Sequence, residues 1–67
     1  MSTFREWQSQ ESIQGIVDEV IDPGKEWRVK VYGVYWHAST LGHASFFPGE
    51  RIQVLKRESN RLVIAPI

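Results

Sequence analysis

The sequence contains no cysteine. This absence excludes disulfides, thiolate metal sites and cysteine nucleophiles together. The two histidines, His37 and His43, lie six positions apart without a cysteine partner, which is not a zinc signature. Stability must therefore come from packing and strand pairing, and the composition fits a protein of the reducing cytoplasm.

The chain also lacks a net charge, since it has 8 Lys plus Arg and 8 Asp plus Glu residues. A dedicated nucleic-acid-binding protein usually carries a basic excess that displaces counterions from phosphate groups. The balanced charge argues against a dedicated nucleic-acid-binding protein. A local stripe of basic residues on one face remains the alternative.

No apolar run approaches the roughly 20 residues that a membrane-spanning helix needs. The first twelve residues, MSTFREWQSQES, do not form the apolar stretch of a signal peptide. We therefore expect a soluble, cytoplasmic domain. Any association with a membrane would come from a partner protein or from a membrane region ahead of residue 1.

The composition is globular, with 42% hydrophobic, 12% aromatic and 24% charged residues. A chain of 67 residues forms one domain and buries only about 60% of its unfolded surface, so it has few apolar residues to spare.

Residues 1–12 differ from the rest. Thr3 and Glu6 fit a helical capping box, which places Phe4 and Trp7 on one face of a short helix.

Such a helix is too short to be stable alone. We therefore expect a flexible or short helical segment at 1–12 and a folded domain at 13–67. In the alternative interpretation, Phe4 and Trp7 dock on the domain or on a partner.

From residue 13 onward the pattern is typical of short strands separated by Gly and Pro. The predicted strands are residues 13–21, 27–32, 34–39, 51–57 and 61–65. Pro23-Gly24 and Pro48-Gly49 predict turns, the first of type II. Gly15 indicates a bend or bulge in the first strand, and residues 40–47 look irregular, with room for one helical turn. Five such strands predict an all-β domain, either a sandwich or a small barrel, and a barrel leaves fewer exposed edges.

The hairpin between the second and third strands determines which side chains face the interior. A type II′ loop at Gly33-Val34 places Tyr32 opposite Tyr35 and Val31 opposite Trp36. Directly opposed residues share a face. The inward face then consists of Trp27, Val29, Val31, Trp36 and Ala38, and the outward face of Arg28, Lys30, Tyr32, Tyr35, His37 and Ser39.

The last hairpin is interpreted in the same way. A three-residue loop at 58–60, with Asn60 in the left-handed region, pairs Val54 with Ile64 and Lys56 with Leu62. Leu55 then lies opposite Val63 on the outside. The inward residues of this hairpin are Ile52, Val54, Leu62 and Ile64, and Phe46 and Phe47 are expected to cap an open end of the barrel.

These residues together resemble a known family. The matching positions are Gly15, Val17, Pro23, Gly24, Val29, Val31, Gly33, Trp36, Ala38, Pro48, Gly49, Ile52, Val54, Leu55, Asn60, Arg61, Leu62, Val63, Ile64 and Pro66. Their order resembles the C-terminal domain of the NfeD family, and the tight Gly turn followed by Trp-x-Ala is the most specific element.

The resemblance implies a five-stranded OB-type β-barrel that serves as a protein-interaction module without chemistry of its own. It further implies a stomatin- or prohibitin-like membrane protein as partner and a role in membrane-protein quality control. Family members often carry a membrane region or a serine protease domain, and neither is present in these 67 residues.

The residues bear on three classes of function. Catalysis is not expected, because His37, His43 and Ser45 match no catalytic motif, and no cofactor or metal site is expected either. Single-stranded nucleic-acid binding on the outer face of strands two and three is the alternative, since OB folds use that face. The preferred hypothesis is protein interaction. Its predicted surface comprises Arg28, Lys30, Tyr32, Tyr35, His37, Leu55 and Val63.

Overall fold

Five strands account for most of the described residues. The computed structural model describes residues 13–67, so the predicted capping box and short helix in segment 1–12 lie outside the described residues. The strands are β1 (Ile13–Asp22), β2 (Glu26–Val31), β3 (Val34–Ser39), β4 (Arg51–Glu58) and β5 (Arg61–Pro66). Each predicted strand is present, with ends that differ from the prediction by at most one residue.

The strands close into a barrel in the order β1-β2-β3-β5-β4. β1 pairs antiparallel with both β2 and β4, and β4 pairs antiparallel with β5. The parallel pairing of β3 with β5, where Ala38 lies opposite Leu62, closes the ring. This strand order confirms the expected all-β, five-stranded OB-type barrel, and it leaves none of these strands with an unpaired edge.

The two Pro-Gly turns form as predicted. In the first, the Lys25 amide donates to the Asp22 carbonyl at 2.8 Å, and Gly24 has the positive φ of 79° that a type II turn needs at its third position. In the second, the Glu50 amide donates to the Phe47 carbonyl at 3.0 Å. The loop before it, at 40–47, is irregular, and the predicted helical turn is not found there.

The β2–β3 hairpin has the predicted faces but a different register. Val31 lies opposite Val34 and Lys30 opposite Tyr35, so the pairing is shifted by two residues and Tyr32 does not face Tyr35. The loop is Tyr32-Gly33, with φ of 52° and 81°, which is a type I′ turn instead of the predicted type II′ turn. A shift by two residues keeps every side chain on its predicted face.

The β4–β5 hairpin corrects a second prediction. Val54 pairs with Ile64 as expected, but a bulge between Val54 and Lys56 follows, and Lys56, not Leu55, lies opposite Val63. The loop has two residues, and Ser59, not Asn60, has the positive φ, at 60°. The prediction that Val63 lies on the surface is wrong, because this side chain is only 2% exposed.

The core is one cluster of apolar side chains around Trp27. Trp27 is fully buried, and the ring of Phe46 meets it edge to face with centroids 5.0 Å apart. Phe46 therefore plugs the barrel as predicted, whereas Phe47 is 66% exposed and does not. Trp36 is only partly buried and packs against the edge of the cluster. The other core members are Val17, Val29, Val31, Ala38, Ile52, Leu62 and Ile64.

Gly15 marks a close approach, not the expected bend or bulge. The irregularities of β1 lie at Val17/Glu19 and Val20/Asp22. A Cβ atom on Gly15 would lie 2.6 Å from Cγ2 of Val31 and 2.8 Å from the carbonyl oxygen of Lys30. Because the second neighbour is backbone, it cannot move aside without shifting the strand.

We predict that Gly15→Ala destabilises the barrel by about 1–3 kcal/mol, because the added methyl group overpacks the contact between β1 and β2. The measurement is urea unfolding followed by tryptophan fluorescence. Gly42→Ala is the matched control, since among residues 13–67 no heavy atom beyond its chain neighbours lies within 4 Å of its Cβ position, and its φ is not in the left-handed region. Equal stability of the two variants would contradict the proposed close approach.

Candidate functional site

The two ends of the barrel differ in how they are closed. Phe46 packs on Trp27, at the start of β2, and so plugs one end. β2 runs from there to Val31, and the Tyr32-Gly33 turn lies at the opposite end. At that second end the described residues leave an open cavity of about 570 Å³. We call it the apolar groove, and it is lined by Ile13, Val31, Tyr32, Val34, Trp36, Val54, Leu55, Lys56, Arg57 and Leu62.

The lining of the apolar groove is largely hydrophobic and largely accessible. Tyr32 is 82% exposed and Leu55 50% exposed, and Ile13 and Val34 are exposed to a similar extent as Leu55. Partly buried Trp36 and Val54 form its base next to the core. Contiguous apolar surface of this kind on a small protein marks an interaction site more often than isolated exposed residues do.

Tyr32 lies in this groove at a conformational cost. Its φ of 52° places a bulky side chain in the left-handed region, where Asn or Gly is preferred in a type I′ turn. Strained backbone at an exposed position is retained at functional sites more often than elsewhere. The turn therefore points to a role for the phenol ring itself.

Two cations border the groove. The Arg57 guanidinium carbon lies 5.0 Å from the centre of the Trp36 ring, and Arg57 Nε donates to the Ser59 carbonyl at 2.7 Å. Lys56 Nζ lies 3.1 Å from Oε2 of Glu58. None of the ten lining residues is acidic, and because Lys56 is paired with Glu58, the uncompensated charge of the lining within residues 13–67 is that of Arg57.

A second surface lies on the outer face of β2 and β3, and we call it the polar strip: Arg28, Lys30, Tyr35 and His37. Arg28 pairs with His37 and Lys30 with Tyr35 across the two strands. Both cations lie over the Tyr35 ring, at 5.0 Å for Arg28 Cζ and 5.4 Å for Lys30 Nζ. Four of the six side chains that were predicted to face outward from these strands are therefore brought together.

The charges of the polar strip are largely balanced by neighbouring carboxylates. Arg28 Nε donates to Oδ2 of Asp18 at 2.9 Å, and Arg28 Nη2 lies 3.3 Å from Oε1 of Glu19. The hydrogen bond to Asp18, with the charges of both carboxylates, raises the pKa of Arg28 above its ordinary value. His37 Nδ1 lies 2.9 Å from Oε2 of Glu26. This strip is therefore less cationic than its basic residues alone indicate.

The predicted interaction residues fall into three places. Arg28, Lys30, Tyr35 and His37 form the polar strip, Tyr32 and Leu55 line the apolar groove, and Val63 is buried. The contributions of Ile13, Val34 and Arg57 to the groove were missed. Alternation along a strand identifies which face a side chain lies on, but not which end of the barrel it lies near. The position of these three residues close to the ends of their strands is the one signal in the sequence that could have placed them in the groove.

Neither a metal centre nor a membrane span is found in the part of the chain that the structure describes. No three potential ligands among the His, Cys, Asp and Glu residues at 13–67 come together. Within the same residues there is no helix with the length and hydrophobicity needed to cross a bilayer.

The strand order and the open apolar end define the class of the protein: a small OB-type β-barrel with an accessible apolar groove at one end. The chain belongs to the NfeD family, because the sequence model of the NfeD-like C-terminal, partner-binding domain matches residues 13–66.

A solved structure with the same fold is the C-terminal domain of a stomatin operon partner protein from Pyrococcus horikoshii. It is 24% identical in sequence and has a TM-score of 0.68, and the match covers 85% of this chain and 86% of that one. A search of curated proteins finds no significant match. The chain is therefore a partner-binding domain by family and an OB-type barrel by structure.

We predict that Tyr32→Asn stabilises the barrel by about 0.5–1 kcal/mol, because Asn adopts the left-handed conformation at lower cost than Tyr. The free energy of unfolding in urea is the measurement. Tyr35→Asn is the control and should destabilise, since Tyr35 has a strand position that disfavours Asn. A loss of stability in Tyr32→Asn would show that the turn is not strained.

Proposed function

We propose that this domain is a non-catalytic protein-interaction module that binds a stomatin- or prohibitin-like membrane protein in the cytoplasm and acts with it in membrane-protein quality control. The observation that carries the proposal is the apolar groove, an accessible hydrophobic end on the barrel of a 67-residue chain that has few apolar residues to spare. The family description as a partner-binding domain supports a protein partner. The structural similarity to the stomatin operon partner protein of Pyrococcus horikoshii supports a stomatin-like partner.

We assign the contact surface to the apolar groove, with the polar strip as its rim. Protein interfaces commonly combine a buried apolar centre that includes Tyr, Trp or Arg with a polar, solvent-accessible rim. Tyr32, Trp36 and Arg57 supply such a centre at the groove. The strip begins beside it, because its Lys30–Tyr35 pair adjoins the last pair of the hairpin. Val63 has no place in this surface, since it is buried.

The composition of the groove supports a binding role over a catalytic one. General acid–base or nucleophilic catalysis needs a nucleophile or an acid–base pair held in a cleft. The titratable lining residues are Tyr32, Lys56 and Arg57, without a carboxylate or a histidine. His37 lies on the polar strip, where its ring contacts Glu26. Binding an apolar partner surface requires no nucleophile or acid–base pair, so the lining is sufficient for binding.

Single-stranded nucleic acid is the second candidate ligand, because Tyr35 with Arg28 and Lys30 lies on the face that OB folds use. Stacking on the ring and contacts to phosphate would both be needed there. However, Arg28 is already paired with Asp18 and Glu19, and phosphate would have to displace or approach these carboxylates. The local charge thus favours the protein partner.

We predict that Leu55→Asp weakens binding of the stomatin-like protein from the same organism at least about tenfold, because it places a charge in the apolar contact. Leu41→Asp is the matched control. Leu41 is an exposed leucine that does not line the groove, and its loop neighbours Thr40 and Gly42 line a separate open cavity with Pro23 and Gly24 of the β1–β2 turn. Isothermal titration calorimetry measures both affinities, and circular dichroism verifies the fold.

Equal affinities of the two leucine variants would contradict the assignment of the groove. Labelled single-stranded DNA, titrated over a salt series, tests the second candidate. Binding tighter than about micromolar that falls steeply with salt would favour nucleic acid as the ligand.

A further inference from the structure

The apolar groove has an asymmetric charge distribution. Two of its ten lining residues are charged, Lys56 and Arg57, and both are positive. Lys56 is already paired with Glu58 on the same strand. Within residues 13–67, Arg57 makes no ion pair, and its interactions are the hydrogen bond from Nε to Ser59 and the contact with the Trp36 ring.

These two contacts hold Arg57 in place at the mouth of the groove. The Ser59 carbonyl occupies Nε, so both terminal nitrogens of the guanidinium keep their donor capacity for another group. The ring of Trp36 orients the planar cation against the apolar wall. A guanidinium fixed in this way is suited to pair with a carboxylate through two parallel hydrogen bonds.

We propose that the apolar groove binds a segment of the protein partner that combines large apolar side chains with a carboxylate, and that the carboxylate pairs with Arg57. This inference rests on the proposed function and specifies the chemistry of the partner. The apolar side chains of the segment cover Tyr32, Val34 and Leu55. The carboxylate neutralises the cation, which would otherwise be desolvated without a partner when the groove is covered.

The same charge distribution disfavours a second copy of this chain as the occupant. A two-fold contact through the groove would bring the same patch of both copies together, so Arg57 of one copy would meet a lining that carries the same cation and offers no carboxylate. Like charges that meet in an interface are unfavourable. An acidic apolar segment meets the groove without that repulsion.

The test uses the full chain and overlapping synthetic peptides that tile the stomatin-like protein from the same organism. Each binding peptide is also made with its Asp and Glu residues replaced by Asn and Gln. We expect at least one peptide to bind, and amide replacement to weaken it about tenfold. In Arg57→Gln the acidic and amide peptides should bind equally. Arg51→Gln, which removes the same charge from β4 outside the groove, should keep the difference.

The remaining outcomes separate this inference from the proposed function. If the intact partner binds but neither amide replacement nor Arg57→Gln changes the affinity of its peptides, the carboxylate pairing is wrong and the module stands. If the intact partner does not bind, both fail. Self-association that Leu55→Asp abolishes would make a second copy of the chain the occupant of the groove. Nuclear Overhauser contacts between Trp7 and the groove would make segment 1–12 the occupant. Either result would overturn the proposal.

Discussion

The barrel depends on the burial of Trp27. Its indole is fully buried between the strands, with Ala38 directly opposite on β3 and Phe46 edge-on against it. Burying a side chain of this size contributes roughly 4–6 kcal/mol at the usual value per unit area. That contribution is comparable to the whole net stability of a small domain. The remaining core residues are smaller and fill the space around this ring.

This packing leaves the two ends of the barrel unequal. The chain provides one buried phenylalanine to plug the Trp27 end, and Phe47 beside it is exposed. At the other end, Trp36 covers the core only in part, and the side chains above it are accessible. The two buried aromatic rings among residues 13–67, Trp27 and Phe46, therefore both lie at the plugged end. The open end is then available for contacts outside the barrel.

Several features converge at that open end. The turn at Tyr32 is strained, and the side chain of Leu55 is an apolar group left exposed to water. The guanidinium of Arg57 is oriented by Trp36 and still has donors available for a further hydrogen bond. None of these features contributes to the core. They are explained together if the end of the barrel is a contact site, which agrees with membership of a partner-binding family.

Periodicity in the sequence was sufficient to predict the strands and most of their faces. Alternation identified the inward side chains of β2 and β3, although the register was off by two residues, because such a shift leaves the faces unchanged. The residues of the turn did not reveal the correct register, because a tyrosine such as Tyr32 is not expected at a position with left-handed backbone.

Local irregularities and the candidate site were harder to predict. Val63 was assigned to the surface from the alternation of inward and outward residues, and the bulge at Leu55 breaks that alternation. Phe46 and Phe47 are adjacent in an irregular loop, so no periodic pattern distinguishes the buried ring from the exposed one. The apolar groove combines residues from all five strands and from the β2–β3 turn, so it becomes visible only once the barrel is closed.

The most direct test of the account is a two-dimensional NMR titration of the ¹⁵N-labelled chain with the stomatin-like protein from the same organism. The two indole N–H groups of Trp36 and Trp27 report on the open and the plugged end of the barrel. The account predicts that the signal of Trp36 and the amides of Tyr32, Val34 and Leu55 shift or broaden, while Trp27 is unaffected. Changes confined to the polar strip or to the Trp27 end would contradict it.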